Sequence, residues 1–119
     1  MVLVDTSIWI SHLREGNVHL RELLLDGAVL CHPSVVGEIS LGHLRNRNEV
    51  LSLLQALPRA KAVENDELLS FIETRRLMGT GVGLVDAHLL ASALLTNVQL
   101  WTTDTPLRRA AVRLGVLYQ

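Results

Sequence analysis

Short apolar runs rich in β-branched residues recur along the chain at Val2–Val4, Ala28–Cys31, Val98–Trp101 and Val116–Tyr118. Between them lie stretches whose leucines repeat at helical spacing. No other feature restricts the fold as much. Strands separated by helices pair in parallel through crossovers, and the helices then cover both faces of the sheet. Helical patterns run over Ser7–Arg14, Val18–Asp26, Ser34–Leu44, Glu49–Leu57, Leu84–Leu95 and Pro106–Leu114. A further helix, capped by Asn65 or Asp66, carries Leu68, Leu69 and Ile72. Gly27 ends the second pattern, Pro33 suits the first turn of the third, and Pro58 stops the fourth. A very short strand is expected near Ala60–Val63. The expectation is an α/β fold in three layers, α/β/α, with a parallel sheet of four or five strands. The 119 residues suit a single domain, 1–119, with one core.

Hydrophobic residues make up 49% of the chain, and the mean hydropathy is +0.31. No apolar run reaches the roughly 18 residues that span a bilayer. The surplus is expected in a large core and in a partner interface. The N-terminal run is broken by Asp5, so it does not read as a signal peptide. Cys31 is the only cysteine. It excludes an internal disulfide and suits a reducing compartment, so a cytoplasmic protein is expected; the thiol itself reads as core. The net charge of −1 carries no global basic field toward nucleic acid. The cations are ten arginines and Lys61, and the aromatics are Trp9, Phe71, Trp101 and Tyr118. That is few for a binder that stacks successive bases, and Trp9 and Trp101 read as packing residues.

The chemistry lies in the carboxylates. Ligands of a parallel α/β sheet bind outside the carboxyl ends of its strands. Asp5 directly follows the first strand, and Asp104 follows "QLWTT". Asp86 is the only charge in "GVGLVDAHLLASALL", and Glu38 sits among apolar residues in "PSVVGEISLG". Taken singly, Asp5 and Asp104 read equally well as helix caps, and Glu38 as a solvated helical residue. Asp86 gains from its helix dipole, but only about 0.3–1 kcal/mol at exposed sites, little beside the cost of burying a lone carboxylate. Together the four are expected at one edge of the sheet. Clustered carboxylates repel and take up protons unless a cation is present. An all-oxygen donor set selects a hard cation, Mg²⁺ or Mn²⁺, over Zn²⁺. The chemistry such a site supports is hydrolysis of a phosphodiester.

Other chemistries fit poorly. "DTS" lacks the second acid of a D-x-D loop. "GTGVG" matches neither a dinucleotide nor a Walker loop and reads as a lead into the Leu84 helix. His12, His19, His32, His43 and His88 show no zinc spacing, and no serine triad can be assembled.

"VLVDTSIWISHLR", "SVVGEISLG", "GVGLVDAHLLASALL" and "LWTTD", in this order and spacing, resemble the PIN-domain family, and within it the VapC-type toxins of bacterial toxin–antitoxin pairs. The likeness covers essentially the whole chain. It implies a parallel sheet with helices on both faces and an Mg²⁺- or Mn²⁺-dependent endoribonuclease acting on RNA. It also implies an acidic site of Asp5, Glu38, Asp86 and Asp104. Asp5, Asp86 and Asp104 would hold the principal metal, and Glu38 would orient the attacking water or a second metal. Thr6 and Ser7, or Thr103, would support them by hydrogen bonding. A VapB-type antitoxin and a homodimer are implied as partners, with no membrane. One departure is that Thr105 and Pro106 follow the last acid, where many relatives carry a basic residue. Arg108 and Arg109 come later and, with Arg14, Arg45 and Arg47, are candidates for RNA phosphate. The rival readings are a non-catalytic module of the same fold and a nuclease that cuts DNA.

Overall fold

The computed structural model describes residues 1–119. Three strands alternate with seven helices: β1 (Val2–Val4), α1 (Thr6–Glu15), α2 (Val18–Leu25), β2 (Val29–Leu30), α3 (Pro33–Ser40), α4 (Arg47–Ala56), α5 (Asn65–Thr74), α6 (Leu84–Thr96), β3 (Gln99–Trp101) and α7 (Thr105–Arg113). The sheet order is β2-β1-β3, and both pairings are parallel. Leu3 sits opposite Leu30 on one side and Leu100 on the other. Val2, Leu3 and Val4 are all buried although successive side chains leave opposite faces of a strand, so both faces of the sheet are covered.

The sheet has three strands rather than the four or five expected. The two missing ones are present only as single parallel bridges, Leu100 with Leu117 and Cys31 with Arg59. The second cannot lengthen. Cys31 donates to the Pro58 carbonyl and accepts from the Ala60 N–H, but the next residue, His32, already caps α3. At the other edge, the Val116 carbonyl and the Tyr118 N–H both engage Leu100 and no other strand residue.

The third helix ends at Ser40, four residues short of the expected Leu44. Beyond the buried Ile39 there is little apolar burial to carry it on, since Leu41 is 88% exposed. Arg47 caps the shortened end by donating to the Ser40 carbonyl at 2.9 Å. The α5 cap is Glu64, in a reciprocal capping box with Glu67, rather than Asn65 or Asp66. The central helix α6 buries every residue from Leu89 to Ala93, as expected of a helix with almost no polar face. The main core cluster has Leu3, Leu20, Leu89, Leu90, Leu100 and Leu107 fully buried, and a small second cluster packs Leu68 against Ala87 and Ala91.

This topology has a switch point. From β1 the chain proceeds to β2 on one side, and from β3 it proceeds to the other edge. The segments leaving β1 and β3 therefore diverge, and a crevice opens at their carboxyl ends.

Candidate active site

Asp5 and Asp104 are the first residues past β1 and β3 to begin helices, so both sit at that crevice. Each is an N-cap. Asp104 Oδ2 accepts from the Leu107 N–H at 3.1 Å, whereas Asp5 Oδ2 reaches the Ser7 N–H only at a long 3.4 Å. The capping reading of these acids thus holds, but for Asp5 the cap is the weaker of its bonds. Its Oδ2 accepts from Ser7 Oγ at 2.7 Å and from Thr102 Oγ1 at 2.8 Å.

Thr102 is fully buried and ties the two strand ends together. Its hydroxyl donates to Asp5 and accepts from the Asp104 N–H at 3.0 Å, while the Asp5 N–H reaches the Trp101 carbonyl at 2.9 Å. The sequence pointed to Thr103 instead. That side chain is exposed, and Thr103 enters the network only through its N–H, which donates to Ser7 Oγ at 3.2 Å. Strand alternation was the signal for the true partner: Thr102 continues the inward face of Leu100. Thr6 serves a different acid, donating to Glu38 Oε1 at 2.7 Å and so linking α1 to α3.

Asp86 lies in the first turn of α6. Its carboxyl is pushed up to about 6, first by burial and then by the negative charges of Asp5, Asp104 and Glu38; the Gly83 backbone opposes this weakly. All three other acids are therefore close enough to act on Asp86. The crevice has no compensating ion pair, since the only close cation–carboxylate approach in the protein is His19 to Glu22 on α2. Asp5, Glu38 and Asp104 each spend one oxygen on a protein donor and keep the other free of protein bonds.

This donor set suits a hard cation. It is all oxygen, excess in negative charge and already partly oriented. As placed, no three His, Cys, Asp or Glu side chains come close enough together to hold a metal ion by themselves. An open cluster of this kind matches Mg²⁺, which keeps several of its waters and uses few protein carboxylates directly.

The five candidate arginines separate. Arg108 Nη1 donates to the Thr102 carbonyl at 3.1 Å, beside the acids. Arg47 is committed to the end of α3. Arg109 lies in a shallow depression with Thr80 and Arg113. Arg14 and Arg45 share a cleft with Glu38. Cys31 is buried, and burial pushes its thiol up, as suits a core residue. His88 is half-buried with its Nδ1 unpartnered, its ring 5.9 Å from that of His32.

The model of the PIN domain matches residues 2–113. Ribonuclease VapC32 from two strains of Mycobacterium tuberculosis, CDC 1551 / Oshkosh and ATCC 25618 / H37Rv, is 47% identical over 117 residues. The match spans 98% of this chain and 94% of the relative. The matched range takes in the positions of all four acids, and the chain belongs to the PIN-domain family.

Proposed function

We propose that this chain is the toxin of a type II toxin–antitoxin pair, an endoribonuclease that hydrolyses RNA phosphodiester bonds with Mg²⁺ or Mn²⁺. The observation that carries this reading is the placement of Asp5 and Asp104 at adjoining strand ends, joined through Thr102 and paired with no cation, with Asp86 charged against both. The likeness to Ribonuclease VapC32 supports RNA as the substrate. Asp5, Asp86 and Asp104 are the residues to hold the metal, and Glu38 completes the site. When bound, the metal lowers the pKa of water and stabilises charge developing on the phosphate.

The chain's own residues supply the rest. Ser7 and Thr102 donate to Asp5 Oδ2, which fixes the carboxylate's rotation and leaves Oδ1 without a protein partner, where it could contribute to a metal. Thr6 holds Glu38 Oε1 and leaves Oε2 to orient a water. Asp86, whose carboxyl is raised to about 6, would be held ionised by a bound cation, so metal affinity should weaken as pH falls through that value. Thr103 contributes its backbone N–H to Ser7. The chain acts as one PIN domain over 1–119. A VapB-type antitoxin and a second copy of the chain are the proposed protein partners. The exposure of Val18 (75%), Leu25 (78%) and Leu41 (88%) supports such surfaces. No helix is long and apolar enough to cross a membrane.

The test is cleavage of RNA and of DNA by purified protein with Mg²⁺ or Mn²⁺. Asp5→Asn and Asp86→Asn should fold and lose RNA cleavage to background. RNA cleavage by metal-loaded Asp5→Asn protein at the native rate would falsify the site, and preferential cutting of DNA would replace the substrate.

A further inference from the structure

The largest cleft in the protein, about 750 Å³, runs from Glu38 along α1 toward the start of α4. Its volume falls within the roughly 300–1,000 Å³ typical of small-molecule sites. Ile10, Leu13, Ile39 and Val50 give it apolar walls, and Arg14, His43 and Arg45 give it a basic rim. Arg47, Arg108 and Arg113 donate to the carbonyls of Ser40, Thr102 and Arg75. Among the arginines with no side-chain hydrogen bond or ion pair, Arg14 and Arg45 are the two that line this cleft. Two free guanidinium groups beside apolar walls match the chemistry of an unstacked nucleotide: phosphate is bound by the planar fork, and the base lies against apolar groups or a guanidinium plane.

We infer that this cleft seats one unpaired ribonucleotide next to the scissile phosphate, its base against Ile10 and Val50 and its phosphate on Arg14 and Arg45. The inference rests on the ribonuclease reading above. Charge and position decide the occupant: the rim is cationic and unpaired, and Glu38 belongs both to the cleft and to the acid cluster. A strand entering the acidic site therefore passes through the cleft. The cleft is thus a place where RNA sequence is read, in a protein with few aromatic residues for stacking.

Steady-state cleavage of a short single-stranded RNA tests this, with Arg14→Gln/Arg45→Gln set against Arg21→Gln/Arg59→Gln, which removes the same charge outside the cleft. Loss of two phosphate contacts should raise KM about tenfold and flatten its salt dependence, with kcat nearly unchanged. The control pair should stay within about twofold of native, since distant exposed charges are largely screened. Ile10→Ser, at a half-exposed wall position, should blur base preference at one position beside the cut when RNA ends are sequenced. Equal KM in both double variants, with native base preference in Ile10→Ser, overturns the inference and leaves the cleft to a polypeptide. Native protein that cuts no RNA overturns the ribonuclease reading itself, and so is distinguishable.

Discussion

Thr102 shows how much of the site rests on a single hydroxyl. It bridges Asp5 and the Asp104 backbone inside the fold, where an unpaired carboxylate oxygen is costly. Thr102→Val keeps the shape and removes the bridge. Loss of such an outer-shell partner should cost about 10–100-fold in activity or metal affinity, read by kinetics and metal titration. Thr103→Val keeps its N–H and should have little effect on either. Two titratable groups, half-buried Asp86 and buried His32, pull stability in opposite directions with pH. The Asp86 carboxyl is raised to about 6 in the fold, so the folded state holds its proton more tightly than the unfolded chain does. Its contribution is therefore present at low pH and lost as pH rises from about 4 toward 6. Burial and His88 lower the His32 imidazole to about 4, so its contribution is lost as pH falls from about 6.5 toward 4. Urea unfolding in EDTA should accordingly show Asp86→Asn protein gaining stability with pH through that window more steeply than native protein.

At the scale of elements, the helix starts were legible where a single residue carries the signal. Asp5 and Asp104 cap α1 and α7, and Pro33 opens α3; Asn17, which caps α2, went unread. Helix ends were less so. Gly42 is a local stop signal just past the end of α3, where Leu41 finds no core and Arg47, seven residues past Ser40, takes the Ser40 carbonyl. Strand number failed for a related reason. "VLY" and "KAV" have the composition of strands, but "VLY" meets its neighbour only at Leu117, and on the other edge the single bridge falls at Arg59, ahead of "KAV", which pairs with nothing. At the end of α6, Asn97 adopts a left-handed φ of 60°. Asn97→Val should destabilise the protein by about 1–2 kcal/mol, whereas Asn97→Gly should cost only a few tenths, if anything. Urea midpoints of the two variants check this.

For the whole molecule, the consequence of four converging acids is coupling between metal and stability. The cluster is strained by its own charge without a cation, so Mg²⁺ or Mn²⁺ should stabilise the fold by mass action, about 2.7 kcal/mol at a concentration a hundred times Kd. Because protons compete for the same oxygens, the rise in unfolding temperature should be clear at pH 7.5 and small at pH 5. Ca²⁺, with the same preference for oxygen, should stabilise as well. A metal-independent unfolding temperature at pH 7.5 would remove the acids from that role.

The sequence by itself determined the α/β class and the parallel pairing, which depend on local periodicity, and singled out Asp5, Glu38, Asp86 and Asp104 as candidates because each is a charge set in or beside an apolar run. It also carried a family resemblance that the PIN-domain match bears out. Only the tertiary structure decided that Thr102 rather than Thr103 braces Asp5, that the sheet stops at three strands, and that Arg14 and Arg45 stand free in a cleft ending at Glu38. Those outcomes depend on which distant segments meet at the switch point of the sheet. A strand end, a helix turn and a loop separated by tens of residues become neighbours there through packing, and no periodicity along the chain encodes that meeting.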